Sequence, residues 1–185
     1  MNTKYEFTGE TKVSLGITLR RIRALVSFGP IEKGEIGGWI ADQKNLDVYG
    51  NAWVYGNAWV SGDAQVSGNA RVSGDAEVSG NAWVYGNAEV SGNARVYGDA
   101  EVSGNARVSG NADFFLVGPI GSRKSFLTVH TDATIGVRFT TGCFSSSENE
   151  FRKAIQKMHG DNNHAKQYST AIDLALMVVK NFSKK

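Results

Sequence analysis

From residue 51 to residue 110 the chain repeats (Asn/Asp)-Ala-x-Val-(Ser/Tyr)-Gly ten times without interruption. A partial unit, Asp47-Val-Tyr-Gly, precedes the array, and Asn111-Ala112 follows it. A six-residue period is neither helical nor a simple strand alternation, so the array must build one side of a coil per hexad. A short strand centred on Val places Val and the Ala two residues before it on one face, and sends x and Ser/Tyr to the other. Gly followed by Asn or Asp then turns the corner, because these residues tolerate positive φ and Asn/Asp bond their own turn backbone. The small Ala suits the crowded corner and the β-branched Val fills the middle of the side.

These hexads resemble the hexapeptide repeat of left-handed parallel β-helix proteins, in which three hexads make one triangular 18-residue coil. The resemblance implies a mainly β fold in which residues 47–112 form about 3.7 coils, a prism roughly 18 Å tall at ~4.8 Å per coil. Left-handedness comes from that resemblance alone. An 18-residue register stacks Trp53, Arg71, Glu89 and Arg107 on one face, Trp59, Glu77 and Arg95 on the second, and Gln65, Trp83 and Glu101 on the third. Opposite charges alternate on the first two faces, as neighbouring strands prefer, at about 0.2–1 kcal/mol per pair.

The outward aromatics Trp53, Trp59, Tyr49, Tyr55 and Trp83 are candidate interface residues. They either form an oligomer contact or ligand platform, or pack under the N-terminal segment. Self-association, with a trimer favoured, is the expectation.

A solenoid has open ends that need caps. Residues 1–46 are expected to form an N-terminal β cap, with strands over 4–13 and 18–28 and with Gly37-Gly38 leading into the first coil. Arg20, Arg21 and Arg23 either bind an anion or pair with Glu6, Glu10 and Glu32. At Phe114 the Ala/Val pattern stops. Residues 113–185 read as a small α+β module with strands over 125–130 and 134–140 and two terminal helices. Ser147 and Glu150 form a capping box, and Phe151, Ile155 and Met158 make one apolar stripe before Gly160. The second helix is expected over 164–182, with Tyr168, Ile172, Ala175, Val179 and Phe182 on one face.

Composition removes several classes. The 185 residues include 22 Gly but 2 Pro and one Cys; the chain has neither a strict Gly-x-y period nor heptads, and no disulfide framework is available. No apolar run reaches the ~20 residues of a bilayer span, so no membrane role is expected. The N-terminus lacks an apolar h-region, so no signal peptide is expected, and together with the single Cys this points to a reducing cytoplasm. Residues 1–46 carry 7 basic and 5 acidic side chains, 47–112 carry 3 and 7, and 113–185 carry 10 and 6. That is no dense Lys/Arg stripe, which argues against nucleic acid.

Catalytic signals are sparse. Acyltransferases of the hexapeptide superfamily place a His near a trimer interface as general base, but His130, His159 and His164 lie outside the hexads, so acyl transfer is disfavoured. Cys143 with His130 or His159 is a conceivable nucleophile and base, set against Cys143 as a packing residue. His159, Asp161 and His164 have a loose metal-like spacing but read more simply as a helix–helix turn. No enzyme activity and no cofactor are expected. The strongest ligand candidate is the turn Gly-Pro-Ile-Gly-Ser-Arg-Lys at 118–124, where Ser122, Arg123 and Lys124 offer an anion cradle, Arg138 a second clamp and Phe144 a ring for stacking.

Nearly the whole chain also resembles a group of phage and prophage hexapeptide-repeat proteins. The residues are Lys-Tyr-Glu-Phe at 4–7, Leu-Arg-Arg-Ile-Arg-Ala-Leu at 19–25, Gly-Gly-Trp-Ile at 37–40, Gly-Ser-Arg at 121–123, Gly-Cys-Phe at 142–144 and His-Gly-Asp at 159–161. The resemblance implies a phage context and no established reaction. The leading expectation is a non-enzymatic binding protein that displays its C-terminal module on an oligomeric β-helix. Such a protein would counter host defence by sequestering an anionic nucleotide signal or docking on a host protein. The alternative is a structural, virion-associated spacer.

Overall fold

The computed structural model describes residues 2–110 and 113–179. The chain opens with an antiparallel hairpin, β1 (Tyr5–Ser14) and β2 (Ile17–Ala24), and β2 pairs antiparallel with β3 (Ile36–Ile40). Ten two-residue strands follow, from β4 (Trp53–Val54) to β13 (Arg107–Val108), one per hexad. They stack in parallel on three faces at the 18-residue register. Trp53, Arg71, Glu89 and Arg107 succeed one another on the first face; Trp59, Glu77 and Arg95 on the second; Gln65, Trp83 and Glu101 on the third. The result is a parallel β-solenoid of about four turns.

Every hexad Ala and Val from Ala52 to Val108 is buried and joins one continuous core. Each buried Val contributes roughly 1.5–3 kcal/mol before ordering costs. The corners stack glycine on glycine: Gly80 has φ +71°, and a Cβ there would come 2.8 Å from the Gly98 nitrogen. Beside them Asn51, Asn69, Asn87 and Asn105 form an amide ladder with steps of 3.0–3.2 Å. The charge alternation is realised as Glu77–Arg95 at 3.3 Å and Glu89–Arg107 at 3.9 Å.

Parallel stacking begins before the expected boundary at 47. Trp39 lies beside Trp59 and Ile40 beside Val60, a separation of twenty residues. Leu46 bridges to Val66 and is buried, whereas Val48, expected inside, is 36% exposed. The two extra residues are absorbed at 47–49, and by Asn51, whose N–H donates to the Gly68 carbonyl, the regular register has been reached.

The N-terminal segment closes the lower end of the solenoid. Tyr5 and Ile22 join the solenoid core beneath Trp53, and the Tyr5 hydroxyl donates to the carbonyls of Gln43 and Leu46 at 3.0 Å each. The Lys4 ammonium donates to the Asp47 and Ala52 carbonyls at 3.0 and 2.8 Å. Burial lowers the Lys4 pKa to about 8, against the attraction of Asp47. Gly38 lets β3 pass over the first coil, since a Cβ there would sit 2.6 Å from the Ala58 carbonyl oxygen.

Beyond the repeats, β14 (Phe114–Ile120), β15 (Ser125–Asp132), β16 (Gly136–Thr141) and β17 (Phe144–Ser146) form an antiparallel sheet in sequential order. The helices α1 (Glu148–His159) and α2 (Asn163–Val179) pack on it. Ser147 donates from its hydroxyl to the Glu150 carboxylate at 3.0 Å, and the Gly160 N–H closes α1 on the Gln156 carbonyl. The expected Phe182 position lies outside the described residues. No helix among the described residues is long and apolar enough to cross a membrane.

The sheet has two differently used faces. Phe114 and Leu116 of β14 join the solenoid core, while Phe115 and Val117 join the helices. On β15, Leu127 and Val129 face the helices. Thr128 on the opposite face accepts the Glu101 N–H at 3.0 Å, and the Thr131 hydroxyl donates to the Arg107 carbonyl. The Ala133 N–H reaches the Asn105 carbonyl at 3.1 Å. The module therefore caps the upper end of the solenoid by taking up polar groups that its last coil would leave open.

Candidate functional site

On the helix side of the C-terminal sheet a cavity of about 350 Å3 opens between α1, the β16–β17 turn and the turn after β14. That volume is within the range of small-ligand sites. Phe151, Ala154, Ile155, Met158 and His159 contribute one face of α1 at helical spacing. Phe144 stands opposite, 39% exposed, its ring centroid 5.4 Å from that of Phe151. Tyr168 of α2 lines the wall and stacks on His159, with centroids 6.0 Å apart and planes 20° apart.

Ser122 and Arg123 reach this cavity because their turn is pinned to α2. The Gly121 N–H donates to the Gln167 side-chain oxygen at 3.0 Å, and the Lys124 N–H to the Gly121 carbonyl at 3.2 Å. Gly121 has φ +72°, and a Cβ there would fall 2.5 Å from the Tyr168 ring and hydroxyl. Only glycine permits that approach. An apolar, aromatic chamber with one guanidinium and several hydroxyls in its walls can hold a flat ring and meet an attached anion.

Three of the five expected ligand residues, Ser122, Arg123 and Phe144, line the cavity; Lys124 does not, and it adopts a left-handed φ of +49°. Arg138 is a correction. It points to the opposite face of the sheet, where its Nε donates to the buried Asp132 carboxylate at 2.7 Å and its guanidinium covers Gly104 at the solenoid end. It fastens the cap and is not a clamp for a ligand in this cavity.

The expected interface aromatics also divide. Trp53 is a correction: it is wholly buried, edge-on to Phe28 at 5.4 Å and to Tyr5 at 6.3 Å, because the N-terminal segment folds over it. Trp59 is only 6% exposed and packs with Leu19 and Trp39. Tyr55 is half-buried against the core, while Tyr49 and Trp83 stand in solvent. Arg23 pairs with Glu6 and Arg21 with Glu10, and Arg20 donates to the Ala41 carbonyl, so this trio is engaged within the cap.

Cys143 and His159 line the same cavity, whereas His130 is buried on the far side of the sheet. No hydrogen bond joins the thiol to the imidazole among the described residues, so the pair lacks the contact that activates a nucleophile. The His159 and His164 rings meet edge to face with centroids 5.7 Å apart, but no group of three His, Cys, Asp or Glu able to hold a metal occurs among the described residues. Sequence reasoning missed Ser125, Thr141 and Ala154 as cavity residues. The available signal was the α1 stripe, which continues through the 66%-exposed Met158, beyond the part that neighbouring elements cover.

Among known families, the profile of the YdcK beta solenoid repeat matches residues 48–62 and 64–80. No curated protein matches the chain. The family match lies within the solenoid and does not extend to the module that holds the cavity, so what it establishes is a β-solenoid repeat protein.

Proposed function

We propose that this chain is a non-enzymatic binding protein whose solenoid, left-handed and of the hexapeptide type, is a scaffold for a ligand-binding C-terminal module. The ligand is small and anionic with a flat ring, as in a nucleotide. One observation carries the reading: Arg123 and Ser122 share a cavity of about 350 Å3 with Phe144, Phe151 and Tyr168. The rings supply stacking surface, and the guanidinium supplies a charge-assisted contact for phosphate. The resemblance to phage and prophage proteins supports the reading that such a protein acts in an infected or lysogenic bacterium, where it would sequester a nucleotide signal of host defence.

Native mass spectrometry of the purified protein with cyclic and ADP-ribose-type nucleotides tests this. A stoichiometric adduct is expected, lost in Arg123→Ala with the melting temperature unchanged. Absence of any adduct across the panel, or full binding by Arg123→Ala, overturns the assignment.

A further inference from the structure

The third solenoid face breaks the charge pattern of the other two. Its outward column reads Gln65, Trp83, Glu101, with no cation, whereas Glu77 and Glu89 each meet an arginine on the neighbouring faces. Asp99 stands at the adjoining corner, where it accepts the Asn81 amide at 2.8 Å, and Glu101 accepts the Tyr85 hydroxyl. Among the described residues no Lys or Arg forms an ion pair with either carboxylate.

These residues wall a groove of about 720 Å3, closed above by the Gly142–Cys143 turn. Its floor is the indole of Trp83, 53% exposed, while Trp39, Trp53 and Trp59 are at most 8% exposed. The groove thus combines an open aromatic face with two carboxylates that form no ion pair with Lys or Arg among the described residues. An indole attracts a cation through its quadrupole, and a planar guanidinium can stack on the ring while its fork engages a carboxylate. The volume exceeds one guanidinium, so it admits a short extended stretch of chain.

We propose that this groove docks an arginine-bearing segment of a partner protein, its guanidinium stacked on Trp83 and paired with Glu101 and Asp99. The charge preference is opposite to that of the module cavity. An anionic ligand is repelled here, so the two sites, which share only the Gly142–Cys143 turn, take different partners.

The test is calorimetric titration of the full chain with a blocked pentapeptide carrying two arginines, and with its citrulline twin, which keeps the shape and removes the charge. Saturable binding is expected, at least ten-fold tighter for the arginine peptide and weakening with salt. Trp83→Ala and Glu101→Gln should each weaken it at least ten-fold, with Asp99→Asn as a further variant, and Arg123→Ala should leave it intact. Trp emission reports the same event, because Trp83 is the one tryptophan in solvent. Equal affinity for the two peptides, or an unchanged constant in Glu101→Gln, overturns the proposal. Saturation by a neutral oligosaccharide with no response to the arginine peptide overturns it too and reassigns the groove to sugar.

Discussion

Arg138 and Asp132 form an ion pair on the face of the C-terminal sheet that closes the solenoid, with Nε donating to the carboxylate at 2.7 Å and the Asp132 side chain wholly buried. Burial pushes the Asp132 carboxyl up, but the Arg138 guanidinium and the N–H groups of Thr134 and Ile135 outweigh it and hold it below its ordinary value. Removing the guanidinium leaves a buried charge unpaired. Arg138→Ala should therefore cost about 3 kcal/mol in urea denaturation. Arg138→Lys should recover part of that, and nucleotide binding in the module cavity should persist. A stability within about 0.5 kcal/mol of the parent, as for a surface substitution, would remove Arg138 from the cap.

His130 lies fully buried on the same β-strand. Its Nδ1 is 3.0 Å from the Thr131 carbonyl oxygen, and its Nε2 has no hydrogen-bond partner among the described residues. Burial pushes its pKa down to about 4, against the opposing pull of the Thr131 carbonyl and Asp132. The unfolded imidazole titrates near 6.5, so between the two values the unfolded chain binds more protons and stability falls as pH falls. The loss should approach about 3 kcal/mol by pH 4. Asp132, whose folded pKa is depressed, adds its own loss only below the ordinary carboxylate range. Chemical denaturation from pH 7 to 4 checks this: His130→Leu should flatten the curve above pH 4, and an unaltered curve would reassign the proton.

Much of the solenoid was legible because each hexad carries its own instructions. Ala and Val give the inward face, Gly with Asn or Asp gives the corner, and the 18-residue alternation of Glu77 with Arg95 gives the stacking partner. What sequence left open depends on segments meeting from far apart. Trp53 occupies the same repeat position as Trp83, yet one is buried and the other exposed, because Tyr5 and Phe28 fold over the first coil and no described segment folds over Trp83 in that way. Arg138 reads as a second clamp beside the 118–124 turn, but the face it takes is set by its partner Asp132 on the neighbouring strand. The cavity needs Arg123, Phe144, Phe151 and Tyr168 from four elements, and no local pattern joins them.

The corners offer a comparison between two glycines at the same hexad position. Gly56 has φ +57° with nothing within 4 Å of an added Cβ, whereas at Gly80, with φ +71°, the Cβ would lie 2.8 Å from the Gly98 nitrogen and 3.0 Å from its oxygen. Both substitutions to Ala pay the left-handed cost of about 1 kcal/mol. Only Gly80→Ala must also push the next coil away, which breaks the stacked ladder in mid-solenoid. Thermal melting should rank Gly80→Ala well below Gly56→Ala, and equal melting temperatures would mean that coil spacing relaxes freely at the corners.

In the module cavity the ring and charge contributions to binding are separable. Phe144 is exposed enough to be truncated without opening the core, and its ring contributes only to the apolar part of a ligand. Phe144→Ala should weaken a mononucleotide by about ten-fold, the ~1–3 kcal/mol that stacking on an aromatic side chain supplies, and leave inorganic pyrophosphate unaffected. Arg123→Ala should weaken both, because each presents phosphate to the guanidinium. Isothermal titration of the two ligands against the two variants gives four constants. If Phe144→Ala weakens pyrophosphate as much as the nucleotide, the ring organises the Arg123 turn rather than meeting the base, and the ligand sits nearer that turn than the α1 face.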